Sequence, residues 1–225
     1  MPLIEVRQAT KQFWLDRTTV PALRGVDLMV EAGEFLAIAG PSGSGKTTLL
    51  NLIGCIESPT SGTIRINGKD TGGLSSDALA DIRATSIGFV FQHFNLLPVL
   101  TALENVEYPL TNLPLAPSER QRRAQAALES VGLASVARHR PLELSGGQRQ
   151  RVAIARAMVT EPSVILADEP TANLDRRTGQ DILALMKDLN ARRRTTFIFS
   201  THDPNVMQMA NRLVYLSDGL VVAQP

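Results

Sequence analysis

Four stretches of this chain are apolar almost without interruption: FLAIAG at 35–40, SIGFVFQ at 86–92, SVILADE at 163–169 and TTFIFSTH at 195–202. A strand with one face in water alternates apolar and polar residues, whereas a strand covered on both faces has no reason to alternate. The four runs therefore predict a parallel α/β sheet with helices on either side. In open sheets of this kind ligands bind beyond the carboxyl ends of the strands. Each run ends in residues suited to chemistry. The first leads into GPSGSGKTT, the second ends at Gln92, the third at Asp168-Glu169 and the fourth at His202, so one crevice is expected to collect all four.

Two other segments do alternate, LIEVRQA near the start and TIRINGKD, in which Asn67-Gly68 is a turn signal. They predict a small antiparallel sheet with one solvated face. SERQRRAQAALESVG and LSGGQRQRVAIARAMV both carry helical periodicity. In TGQDILALMKDLNA, Ile182, Leu185, Met186 and Leu189 share one helical face, expected to pack on the sheet.

The segment 40–47 satisfies G-x-x-x-x-G-K-[ST] between a predicted strand and an apolar helical run, which is the context a phosphate-binding loop requires. Its amides, spanning Ser42, Gly43, Ser44, Gly45 and on to Thr48, would cradle phosphates. Lys46 would reach the β- and γ-phosphates, and the Thr47 hydroxyl would ligate Mg²⁺. The spacing is not that of the dinucleotide fingerprint. Asp168 closes a buried strand, where a carboxylate needs a cation nearby. Glu169 is then placed to polarise a water for attack on the γ-phosphate, although a salt bridge or a helix cap would also use a carboxylate there. His202 and Gln92, taken singly, fit ordinary backbone bonding as well as catalysis.

LSGGQ poses a different question. Ser145 and Gln148 fit a capping box, in which hydroxyl and side-chain amide satisfy each other's exposed backbone. The cap leaves Gly146 and Gly147 unaccounted for, since each glycine costs a helix about 1 kcal/mol relative to alanine. Bare backbone at a helix N-terminus suits an approaching anion.

In order along the chain, GPSGSGKTT, the glutamine ending FVFQ, LSGGQ, VILADEP, the following NLD and the histidine of STHD resemble the ATP-binding subunits of ABC transporters over essentially the whole length. FQHFNLLPVLTALENV and DEPTANLD look most like the branch serving lipoprotein-releasing, macrolide-export and related cell-division complexes. Ala172 stands where that family often has glycine. The resemblance implies a P-loop NTPase (RecA-like) α/β core from residues 1–92 and 162–225. An antiparallel β-subdomain decorates it, and a helical lobe is inserted at about 93–161, all within a single nucleotide-binding domain. It implies ATP and Mg²⁺ as cofactors, with Thr47, Gln92 and Asp168 around the metal and Lys46, Glu169 and His202 as catalytic residues. Phe13, next to Trp14, would stack on adenine. Ser145, Gly146, Gly147 and Gln148 would close over the nucleotide held by a second copy, giving an ATP-bound homodimer. An integral membrane permease subunit is the implied partner, docking at 93–106, where Phe94, Leu96, Leu97, Val99 and Leu100 lie close together around Pro98.

Composition limits the alternatives. A formal charge of +1 gives no basic face for nucleic acid, and Cys55 alone makes neither a disulfide nor a cysteine metal site, which fits a reducing compartment. MPLIEVRQAT lacks a signal segment, and no apolar run approaches the ~18 to 20 residues that cross a bilayer. The expected location is cytoplasmic, peripheral on the inner face of the cell membrane. A P-loop small-molecule kinase would not need LSGGQ, and a DNA-repair relative would carry a long coiled-coil or zinc-bearing insertion. An ATPase that regulates an envelope complex without moving a substrate would have the same sequence features.

Overall fold

The computed structural model describes residues 1–15 and 18–223. Strands β1 (Ile4–Leu15) and β2 (Thr18–Val30) pair antiparallel, and β3 (Phe35–Ala39) leads through the glycine-rich loop into α1 (Lys46–Ile53). Next come β4 (Ser61–Ile66), β5 (Lys69–Asp70), α2 (Ser76–Ser86) and β6 (Ile87–Val90). The helices α3 (Ala102–Glu107), α4 (Pro117–Ser130) and α5 (Gly146–Met158) follow. The chain then forms β7 (Val164–Asp168), α6 (Arg176–Arg193), β8 (Thr196–Thr201), α7 (Pro204–Met209), β9 (Arg212–Ser217) and β10 (Leu220–Val222).

The four apolar runs become β3, β6, β7 and β8 of a six-stranded sheet ordered β10-β9-β3-β8-β7-β6, parallel throughout except at β10. Successive residues of a strand point to opposite faces, and here both faces are dry. Phe35 and Ala37 enter one core while Leu36 and Ile38 enter the other, and Phe197 and Phe199 are likewise separated from Ile198. An uninterrupted apolar run is the consequence. On the first face the Phe35 ring lies 5.6 Å from Phe197 and 4.6 Å from Phe199, centroid to centroid, within the range where tilted aromatic pairs attract.

Helix α6 covers this face with Ile182, Met186 and Leu189, as its periodicity predicts. Leu183 is buried beside them and Leu185 is only half-buried, because the helix sinks deeper on its Leu183 side. The same apolar cluster continues through Val106, Leu128 and Ile154 of α3, α4 and α5, so these helices and the sheet share one core. Arg192 and Arg193 fall in the last turn of α6, where positive charge opposes the helix dipole.

The second face is covered by α1 and by the antiparallel sheet, ordered β2-β1-β4-β5. Asn67-Gly68 makes the β4–β5 turn with φ of 51° and 75°, the positive pair that a type I′ hairpin needs. Strand β1 extends beyond LIEVRQA, with a register shift between Val6 and Ala9 where Gln8 has φ 45°. Strand β9 is a fifth parallel strand that a search for uninterrupted apolar runs passes over. Only Val214 and Leu216 of it are buried, because it lies next to the edge strand β10.

Candidate active site

The carboxyl ends of β3, β7 and β8, together with the residues just past β6, open onto one cavity of about 650 Å³. That size suits a nucleotide-scale ligand. Loop residues Ser42, Gly43, Gly45, Lys46, Thr47 and Thr48 form one wall, and Gln92, Asp168, Glu169 and His202 face them. All four strand ends singled out in the sequence are thus present. Ser44 is the loop residue that turns inward: it is 3% exposed and its hydroxyl has no partner among the described residues.

Gly45 caps α1 in the left-handed region, at φ 102°, so the helix begins abruptly and its first amides face the cavity. Lys46 is 8% exposed, and its ammonium donates to the carbonyls of Gly40 and Pro41, each at 2.8 Å. The Thr47 hydroxyl lies 3.2 and 3.3 Å from the two Asp168 oxygens. Ser200, the register partner of Asp168 on β8, also donates to that carboxylate. Nothing in the sequence pointed to Ser200, since this contact exists only once β7 and β8 are paired.

Glu169 sits at φ 45° immediately past β7, with its amide bonded to the Ser200 carbonyl at 3.0 Å. His202 Nδ1 lies 2.6 Å from Glu169 Oε1. A carboxylate only accepts, so Nδ1 carries the proton and the tautomer of the imidazole is fixed. The Thr201 hydroxyl lies 3.4 Å from Glu169 Oε2. Asn173 opens the NLD that follows the acidic pair, but its contacts were not legible there. Its Nδ2 donates to the Gln92 carbonyl at 2.8 Å and lies 3.1 Å from His93 Nδ1, tying the stretch after β6 to the turn after β7.

Phe13 is half-buried on β1, with the Lys11 ammonium 5.1 Å from its ring centroid, and Trp14 is 77% exposed. Neither ring lines the cavity, although Ala22 on the paired strand β2 does.

The residues of LSGGQ, the signature hereafter, lie elsewhere. Ser145 caps α5 in both directions of the capping box, its hydroxyl accepting from the Gln148 amide at 3.3 Å and its own amide donating to Gln148 Oε1 at 2.9 Å. None of residues 145–148 lines the cavity of its own chain. The two glycines turn out to differ. A Cβ on Gly147 would meet Thr178 Cγ2 at 2.6 Å, and Thr178 is held by the Asp175 carboxylate that caps α6. Those bonds from Thr178 also hold the Asp175 carboxyl below its usual pKa. A Cβ on Gly146 would find Leu174 at an ordinary 3.4 Å. Close packing of α5 on α6 thus accounts for Gly147, and the absence of a side chain at Gly146 has no such cause. Gly147→Ala is expected to lower stability by about 1–3 kcal/mol through overpacking. Gly146→Ala is expected to leave the melting temperature unchanged or raise it, while lowering ATPase activity if bare backbone serves an anion there. Thermal melts of the two variants side by side check this.

A phosphate loop at a strand–helix junction, facing an acidic pair at the end of the neighbouring buried strand, defines the class: a P-loop NTPase. Comparison with known proteins supplies the family. Residues 23–172 match the model of the ABC transporter family, and the chain belongs to it. It is 48% identical over 221 residues to the macrolide export ATP-binding/permease protein MacB of Marinobacter nauticus, covering 98% of this chain but 34% of that protein. The chain thus spans about a third of the length of the macrolide-export relatives it matches. It is 47% identical over 223 residues to the lipoprotein-releasing system ATP-binding protein LolD of Anaeromyxobacter dehalogenans, with 99% of this chain and 93% of that one covered. Among solved structures, a dimeric post-hydrolysis state of the cassette MJ0796 of Methanocaldococcus jannaschii, bound to ADP and Pi, superposes with a TM-score of 0.90. The identity is 46%, over 99% of this chain and 97% of that one.

Proposed function

We propose that the chain is the ATP-driven half of a membrane transporter. Two copies enclose ATP between them, and hydrolysis lets them part and resets an integral membrane partner. The observation that carries the reading is the convergence of Lys46, Thr47, Gln92, Asp168, Glu169 and His202 on one cavity, while residues 145–148 lie away from it. A second copy supplies the missing wall, and the dimeric cassette among the solved structures supports that arrangement.

The roles follow from chemistry and position. Lys46 leaves the carbonyls of Gly40 and Pro41 for the β- and γ-phosphates, and Glu169 accepts the proton of the attacking water, with His202 holding its carboxylate in place. Phe13 is the ring proposed to stack on adenine, at the rim formed by β1 and β2. Residues 145–148 of each copy close over the phosphate held by the other. Thr47, Asp168 and Gln92 would hold Mg²⁺, and their hard oxygen donors fit it. Among the described residues no three His, Cys, Asp or Glu side chains gather as a metal cage. Mg²⁺ suits such a site because it is held by one or two carboxylates together with the substrate's own phosphates. Bound there, it would neutralise charge on the β- and γ-oxygens.

No helix among the described residues is long and apolar enough to cross a membrane. In this reading the membrane-spanning part belongs to the partner, and this chain is peripheral on the cytoplasmic face. The docking segment is read at 93–106. Leu97 is 39% exposed and Val99 73%, while Leu96 packs against the shared core. Leu97 projects from a backbone held by the fully buried Asn105, whose Oδ1 accepts from the Leu97 amide at 2.8 Å and whose Nδ2 donates to the Leu97 carbonyl at 3.1 Å. Leu97→Asp is therefore expected to fold, to keep basal ATPase activity within a few-fold, and to lose co-purification with the membrane partner. A misfolded variant would return Leu97 to the core, and a folded one with normal stimulation by the partner would move the docking site elsewhere.

A further inference from the structure

Gln150, on the second turn of α5, is fully buried. Its Nε2 donates to the Pro170 carbonyl at 2.8 Å, and its Oε1 has no partner among the described residues. Since a carbonyl only accepts, the amide must present its nitrogen to Pro170. A methionine would fill the same slot without burying an unpaired oxygen, so packing does not explain a glutamine here. What the amide adds is the bond to Pro170.

Pro170 follows Glu169, which lies at φ 45° directly before a proline. Left-handed backbone is strained for a side-chain-bearing residue, and a following proline favours extended backbone instead. A conformation of that kind persists only where its surroundings over-determine it. Strand β8 holds the turn through the Glu169 amide on the Ser200 carbonyl at 3.0 Å, and Thr171 holds it through Asp203 at 3.0 Å. Helix α5 holds it through Gln150.

We propose that Gln150 is a positioning residue for hydrolysis, fixing the Glu169-Pro170 turn so that the Glu169 carboxylate addresses the cavity. The inference rests on the reading of Glu169 as the base. It also ties that base to the helix whose first residues, 145–148, would meet the second copy's nucleotide. Arg156, nearly two turns further along α5, holds the stretch after β6 in the same way, donating to the Phe94 carbonyl at 2.8 Å and to the Asn95 carbonyl, two and three residues past Gln92.

The test compares Gln150→Met with the parent chain and with Glu169→Gln. For Gln150→Met the expected result is an unchanged or raised melting temperature, ATP affinity within about twofold, and kcat lower by about tenfold to a hundredfold with KM for ATP unchanged. A parental kcat overturns the proposal. So does a joint fall of melting temperature, ATP affinity and kcat, which marks a structural role. Should Gln150→Met not fold, Gln150→Asn keeps an amide but withdraws it from Pro170. It is expected to show the same loss confined to kcat, and a parental kcat in it overturns the proposal equally. The two readings fail separately. A fully active Glu169→Gln removes the base and this inference with it, whereas an inactive Glu169→Gln beside a normal Gln150→Met removes only the tie.

Discussion

Glu169→Gln is expected to bind ATP as the parent does and to hydrolyse it at least about a hundredfold more slowly, because a positioned general base contributes typically 10²–10⁴. The substitution is nearly isosteric. The amide oxygen still accepts from His202 Nδ1, and the left-handed turn still donates its residue-169 amide to the Ser200 carbonyl and accepts from Gln150 at the Pro170 carbonyl. What disappears is a group able to take a proton from water. With chemistry blocked and binding intact, ATP should hold two copies together, which size-exclusion chromatography with and without nucleotide reads directly. Hydrolysis near the parental rate would take Glu169 out of the base role, leaving its bond to His202 as a structural contact.

Ser145→Arg is expected to abolish turnover in the homodimer while leaving ATP binding to a single copy unchanged, since Ser145 lies outside its own chain's cavity. Two effects are combined in this variant. The Ser145 hydroxyl caps α5, and losing a cap costs about 1 kcal/mol, or roughly 2–4 °C for a chain of this size. Ser145→Ala loses the cap without adding bulk, so it isolates that contribution. The steric effect is read by mixing Ser145→Arg with Lys46→Ala. A heterodimer then has one composite site with an intact phosphate loop from the first chain and an intact signature from the second, while its other site lacks both. Activity above that of either homodimer is the expected result. If none appears, although a linked dimer with one intact site is active, the signature does not act across the interface.

Much of the site was legible because its signals are local. A glycine-rich loop between a strand and a helix, a capping box at Ser145, an Asn67-Gly68 turn and an acidic pair closing an apolar run are all written within a few consecutive residues. What escaped notice joins residues far apart in the chain. Ser200 reaches Asp168 across 32 positions, Asn173 reaches Gln92 across 81, and Gln150 reaches Pro170 across 20. Even where the residue itself stands in a quoted motif, as Asn173 does in NLD, its partner is not written beside it, and each contact forms only when the fold brings that partner alongside.

The glycine pair of LSGGQ shows both kinds of information in adjacent positions. The sequence alone establishes that two helix-weakening residues open α5, and it points to bare backbone as their purpose. Only the packing of α5 on α6 separates them, because Thr178 fills the space a side chain on Gly147 would need and leaves the space at Gly146 open. The strand register does the same for catalysis. Sequence determined that four strand ends would carry Lys46, Gln92, the Asp168-Glu169 pair and His202, since hydrophobic patterning decides which segments are buried strands. Tertiary structure alone decided that β7 and β8 are neighbours, and this sets the Glu169 turn against Ser200 and brings His202 to its carboxylate. Periodicity records which face of a segment is buried, whereas a neighbour in the sheet is chosen by the packing of the whole chain.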